Sequence, residues 1–524
     1  MKKNNIKALV CIAALVSAMS ANAVLADDLT ISQGENITHG ASDPTSYDNV
    51  NNAGTFSNEA QLDISNTLTN NGILNNINTI TSNTIINEIG SEFNNKNNLG
   101  TSNNSVNNLT NNGFFNNGET GSTGNIYANN VTNNGDFTNN NSNISIDSSF
   151  TNEGTFTNEA GNIQAKNAND GKFENNNSFV NNGGNITIGE IINKGTLNNN
   201  NGGGNITGSL SFTNEGEIIN NGGFLNTAGT FKNTGNIINK SSSTNTSSII
   251  AKEIVNSGSG VIDNLANITA NTNFTNSATY TNESGANLNA PNVDNSGKFT
   301  NKGTVTSDNF TNSGNGNVTN SGTIAASNSF TNSATFTNET GGTLDSPTVK
   351  NSGKFTNNGT VKSTDFTNSG NGNITNSGTI TASNSFTNSA TFTNKTGGTL
   401  DSPTIENSGK FTNNGTVKST DFTNNGNGNV TNSSAITASN SFTNSATFTN
   451  ETGGTLDSPT IENSGKFTNN GTVKSTDFTN SGNGNVTNSG TIAASNSFTN
   501  SATFTNETGG TLDSPTIENS GKFT

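Results

Sequence analysis

Residues 366–421 read FTNSGNGNITNSGTITASNSFTNSATFTNKTGGTLDSPTIENSGKFTNNGTVKSTD, and the spacing of their apolar side chains decides the fold. The apolar positions are Phe366, Ile374 and Ile380, then Phe386, Phe392 and Leu400, then Ile405, Phe411 and Val417, after which Phe422 restarts the series. They sort into three columns: Phe366–Phe386–Ile405, Ile374–Phe392–Phe411 and Ile380–Leu400–Val417. Asn stands two residues after each member of the first two columns, at Asn368, Asn388 and Asn407 and at Asn376, Asn394 and Asn413. The third column is followed instead by a small residue, Ala382, Ser402 or Ser419, and Gly recurs past the Asn positions at Gly370, Gly378, Gly409 and Gly415.

This stretch is one copy of a larger repeat. NSGKFT begins at Asn295, Asn351, Asn407, Asn463 and Asn519, a period of 56 residues. Near-identical copies record duplication and say nothing about structure. The informative layer is older: FTNEGTFTNEAG from Phe150, FTNEGEIINNGG from Phe212 and FKNTGNIINK from Phe231 keep the apolar-x-Asn-x-Gly spacing with different residues. Divergence that preserves spacing argues against a disordered, low-complexity surface segment, which would have no reason to keep it.

Thr-Phe-Thr and Gly-Thr-Ile-Thr alternate out and in with the period of a strand. Each such strand is about four residues long, and Asn-x-Gly then turns the chain, since Asn and Gly tolerate positive φ. The prediction is an all-β fold: a parallel β-solenoid (β-helix) with three short strands per turn of about 16–20 residues. Stacked turns would set Phe on Phe and Asn on Asn every ~4.8 Å, with side-chain amides bonding along the stack. At that rise, residues 50–524 would make a rod of ~120 Å. The domain reading is a signal peptide at 1–26, an N-terminal cap at 27–49, divergent turns at 50–238, and 56-residue repeats at 239–524 that stop inside a unit.

Lys2, Lys3 and Lys7 precede the short apolar run ALVCIAALVSAM, and small residues follow, so cleavage after Ala23 or Ala26 is expected. The sole Cys, Cys11, lies in this leader, which leaves the mature chain without disulfides. The net charge of −16 over 524 residues, with no Arg, offers no basic stripe to phosphates and excludes nucleic acid as a partner.

Chemistry is sparse. The one His, His39, has Ser42 and Asp43 near it in sequence, but a catalytic triad needs a shaped site, and a cap histidine is the simpler reading. GNGN at 314–317 imitates a phosphate loop but opens no helix, so a solenoid corner is expected there. Asp345, Asp401 and Asp457 of the TLDSP motifs fall three turns apart, ~14 Å, too far to share a proton or a metal. The reading is no enzyme, no catalytic, cofactor or metal residues and no small-molecule substrate, against the minor alternative of a polysaccharide-active β-helix enzyme. Ice binding is a further minor alternative: the Thr375–Thr393–Thr412 rank is single and is flanked by Asn373, Thr391 and Lys410.

The turn FTNSGNGNVTNSGTIAAS at 310–327, with Asn-x-Gly-x-apolar recurring through residues 50–524, resembles the passenger repeats of bacterial autotransporter and filamentous-haemagglutinin-like adhesins. The resemblance implies an exported protein at the cell surface, outer membrane or outside the cell, with attachment to a host or neighbouring-cell glycan or protein. It also implies an outer-membrane barrel or transporter, which this sequence does not contain. The alternative is a passive surface-layer or spacer element without a ligand. Thr524 falls inside NSGKFT, so further copies and an anchor are expected beyond it.

Overall fold

One turn with three inward side chains cannot form a core, so its strands must pair with those of the turns before and after. The computed structural model describes residues 27–167, 169–200, 204–243 and 245–524, and the predicted leader at 1–26 lies outside them. No helix occurs among the described residues. The chain forms two compact units, Met1–Phe150 and Thr151–Thr524, and in each the strands stack in parallel, turn upon turn. Each unit is a parallel β-solenoid.

In the Thr151–Thr524 unit the three columns are the register itself. Phe366 pairs with Phe386 and that with Ile405. Ile374 pairs with Phe392 and that with Phe411, while Ile380 pairs with Leu400 and that with Val417. All nine side chains are fully buried. Successive rings touch along the axis: Phe392 and Phe411 have centroids 4.8 Å apart, and Phe366 and Phe386 5.3 Å.

The third column and the next first column are joined more closely than three separate strands would be. Strands Thr360–Asn368 and Thr379–Asn388 run through both columns and bend between them. The bend is a bulge: Ser363 pairs with Ala382, but Asp365 pairs with Ser385, so the upper strand holds one extra residue. In the next turn Pro403 has no N–H to give the ladder, and the strand divides into Thr399–Asp401 and Thr404–Asn407. Ladder Asn residues in these turns are therefore 20, 19 and 17 residues apart, although the columns stay aligned.

The corners depart from the expected chemistry. Asn141 and Ala160 are the non-glycine residues with positive φ among the described residues, so the ladder Asn side chains do not serve left-handed turns. Of Gly370, Gly378, Gly409 and Gly415, Gly370 alone is left-handed, with φ 61°. Gly378 eases a close approach: a Cβ there would lie 2.1 Å from the carbonyl oxygen of Gly359 in the turn before. Where the equivalent residue is Ser434, the Ala435 N–H bond to the Gly415 carbonyl is 3.3 Å, against 2.9 Å from Thr379 to Gly359. Asn is retained for its side chain, which faces inward and is fully buried at Asn368, Asn388 and Asn407.

Tyr280 takes the second-column slot that Phe336, Phe392 and Phe448 fill in later repeats. Its ring is fully buried, and its hydroxyl donates to Asn282 Oδ1 over 3.3 Å. Burial pushes the phenol above its ordinary value. A raised folded-state pKa contributes stability that is complete below the unfolded pKa of about 10 and is lost as pH rises beyond it. Limited proteolysis around residues 262–299 is thus expected to accelerate above about pH 10, and Tyr280→Phe to remove that acceleration. Equal alkaline fraying in both proteins would show that Tyr280 does not control it.

The Met1–Phe150 unit repeats the plan. Phe93, Phe115 and Phe137 stack with centroids 4.8 and 4.6 Å apart. Turns in both units reach beyond the expected 16–20 residues, as Asn87 bonds Asn111 across 24 positions and Asn239 bonds Asn264 across 25. The added residues leave through corners, such as the loop between Leu99 and Val106, and the columns are undisturbed. Strands Leu29–Ile31 and Asn36–His39, inside the segment read as a cap, pair in register with the next turn.

Candidate binding surface

At the Asn corners the polar chemistry is consumed by the fold. The amide of Asn388 donates to Asn407 Oδ1 over 2.8 Å and to the Lys410 carbonyl over 3.0 Å, and its own Oδ1 accepts from Asn368 over 2.7 Å. Asn394 does the same at the second corner, accepting from Asn376 and donating to Asn413, both over 2.9 Å. Each rung orients the next, because an amide has one accepting and one donating end.

His39 sits at the foot of such a ladder, paired in register with Asn58. It is 2% exposed; Nδ1 lies 2.7 Å from Asn58 Oδ1 and Nε2 2.9 Å from the Pro44 carbonyl. Asp43 is engaged by the Gly40 N–H at 2.7 Å. The structure therefore does not join His39, Ser42 and Asp43 as a relay. GNGN at 314–317 is a corner, with Gly314 at φ 60° and the Gly316 N–H donating to the Ser313 carbonyl over 2.9 Å.

The outward side chains form ranks along the stack. In the second-column wall Thr pairs with Thr at one register from Thr281 to Thr505 without interruption. The neighbouring rank cycles through Asn373, Thr391 and Lys410. Near the bend, Asp365 Oδ1 accepts from Ser385 over 2.6 Å and from Asn384 over 2.7 Å, bonds that hold its carboxyl below the usual carboxylate range.

The third-column wall carries a feature that the sequence does not announce. Where the strand bends, the wall leaves a groove with the buried Ser346 and Ser363 at its base. Around Asp457, Pro459, Lys474, Thr476, Ala493 and Ser495 its volume is about 570 Å³. The equivalent positions Asp345, Pro347, Lys362, Thr364, Thr381 and Ser383 line one of about 380 Å³. In the Met1–Phe150 unit the same wall, with Asp63, Ser65 and Thr81, holds a groove of about 520 Å³. The small residues after each third-column position are the available signal, since small inward side chains let a wall approach the axis.

Asp345, Asp401 and Asp457 all stand on this wall, each in register with a Lys of the next turn: Lys362, Lys418 and Lys474. Among the described residues no group of three or more His, Cys, Asp or Glu could hold a metal ion. What the wall offers is a row of carboxylate, ammonium and hydroxyl groups at fixed spacing. The class defined by these features is a parallel β-solenoid with asparagine-laddered corners. No protein family, no curated protein and no solved structure matches the chain.

Proposed function

We propose that the chain is an exported bacterial surface protein whose solenoid serves attachment, as the passenger of an adhesin. The observation that carries this reading is the division of labour in each turn. Phe and Asn rungs are consumed inside, so turns can be added without redesign, while the outer ranks repeat polar groups at one spacing. Such a surface suits weak contacts repeated many times, which gain through multivalency, and a glycan- or protein-coated cell is a target of that kind. The proposal includes no catalytic role: Asp345, Asp401 and Asp457 each face a Lys in register rather than a second acid.

The test uses cells that carry the gene and an otherwise identical deletion strain. Antibody against the 56-residue repeat is expected to label intact cells, N-terminal sequencing to begin at Val24 or Asp27, and the deletion strain to attach less. A chain that keeps Met1 and is reached by antibody only after lysis would overturn the export reading. Surface labelling with unchanged attachment would replace adhesion by the spacer reading.

A further inference from the structure

The outward rank of the third-column wall has a charge pattern with a period of three turns. Going up the stack it runs Asp345, Lys362, Thr381, and then Asp401, Lys418, Thr437. It continues with Asp457, Lys474 and Ala493. The three Asp and three Lys side chains are exposed, and none belongs to an ion pair among the described residues. The chain as a whole carries −16, whereas this rank pairs each of these Asp residues with a Lys one turn above.

We propose that this wall of the Thr151–Thr524 unit is an interface between two antiparallel copies of the chain. A closed pair of identical chains brings the same patch of both together, related by a two-fold axis. If that axis runs along the solenoid, the copies are parallel and each turn meets its own equivalent. Asp then faces Asp and Lys faces Lys, an arrangement that like-charge repulsion opposes. If the axis crosses the solenoid, one copy is inverted, and the order Asp–Lys–neutral meets itself reversed.

One register then pairs all six of these charges, and Asp513, which follows Ala493 in the rank, meets the neutral Thr306. With Asp401 opposite Lys418 of the second copy, Lys418 falls opposite Asp401, Thr381 opposite Thr437, Lys362 opposite Asp457 and Asp345 opposite Lys474. The adjoining rank agrees, since Pro403 then meets Thr420 and Ser383 meets Ser439. On the first-column side of the bend Asp421 meets Thr404 and Asp365 meets Thr460, so no like charges confront each other there. A single exposed pair contributes little, and the pattern acts because several pairs close together on two rigid ladders. The pairing does not rest on surface display, and its failure would leave the proposed function standing.

The experiment is sedimentation velocity on the purified full chain at low and high NaCl. The wild type is expected to dimerise, with the dimer weakened by about tenfold or more between ~50 mM and ~500 mM salt. The variants Lys362→Asp/Lys418→Asp/Lys474→Asp and Asp345→Lys/Asp401→Lys/Asp457→Lys are each expected to stay monomeric and to form a heterodimer when mixed. Circular dichroism matching the wild type checks that both still fold. Orientation is read in a Cys11→Ser background: Asp345→Cys chains are expected to form a disulfide with Lys474→Cys chains, whereas a parallel pair would join each only to itself. A wild type that is monomeric at low salt, charge variants that dimerise unmixed, or Asp345→Cys bonding only to itself would each overturn the proposal.

Discussion

Alanine at position 378 is expected to loosen the solenoid locally by about 1–3 kcal/mol. The size of the effect follows from Ser434, which already carries a Cβ at the equivalent position: the Ala435 bond to the Gly415 carbonyl there is 3.3 Å, against 2.9 Å from Thr379 to Gly359. The added Cβ would stand 2.1 Å from the Gly359 carbonyl oxygen and 2.7 Å from the Asn358 carbonyl carbon. Both are backbone atoms of the adjoining turn, so no side chain can swing away. Relief requires the two turns to separate, which weakens the Gly378 N–H bond to the Asn357 carbonyl and the Thr379 bond to the Gly359 carbonyl. The control is Gly341→Ala. Gly341 has φ 86° with nothing within 4 Å of the added carbon, and its cost is confined to left-handed backbone strain of about 1–2 kcal/mol. Hydrogen exchange resolved by peptide suits a stack whose turns open separately. Protection should fall across both turns of the close approach, residues 355–382, in Gly378→Ala and only at the corner itself in Gly341→Ala; a loss confined to the corner in both would mean that close approach is not why Gly stands at 378.

The second large effect is expected from Asn388→Asp. The substitution keeps the shape and removes the donor. Asn388 Nδ2 serves Asn407 Oδ1, the Lys410 carbonyl and, at 3.3 Å, the Ala390 carbonyl. A carboxylate there has no proton to offer, faces acceptors above and is fully buried, a loss of about 3–5 kcal/mol at neutral pH. Burial raises the pKa of such an acid, and the protonated form can again donate one bond. Stability should therefore be lowest above the folded-state pKa and recover as pH falls through it, opposite to an exposed aspartate such as Asp365. Limited proteolysis near residues 386–410 at pH 7 and pH 4 reads the sign. An Asn388→Asp protein as resistant as the wild type at pH 7 would show that the ladder carries no net stability.

These two positions also mark how far the sequence can be read. The columns are legible from Phe366, Ile374 and Ile380 because burial demands an apolar residue at each inward position and nothing else satisfies it. The ladder is legible for a related reason: Asn388 and Asn394 recur where a buried side chain must both give and accept a bond. Composition speaks clearly here, since so little of the chain is otherwise apolar.

Gly378 reads in sequence as a left-handed turn residue and is not one, because a string of letters gives its sequence neighbours but not the carbonyl of Gly359 one turn below. The bulge at Ser363–Asp365 is hidden for the same reason: an extra residue is defined only against the strand it pairs with. That His39 is a rung is hidden too, since only the stacked register brings Asn58 over it. The groove beside Asp457 and Lys474 likewise belongs to four turns together.

What the sequence alone determined was the content of one turn: which side chains face inward, which corners need an amide, and that the turns repeat in parallel. The tertiary structure decided what lies between turns: which carbonyl crowds a glycine, where a strand bends and which charges stand in line. The division follows from range. Inward burial is a property of each residue and leaves its mark at that residue, whereas contact between turns joins atoms some twenty residues apart and exists only once the stack is built.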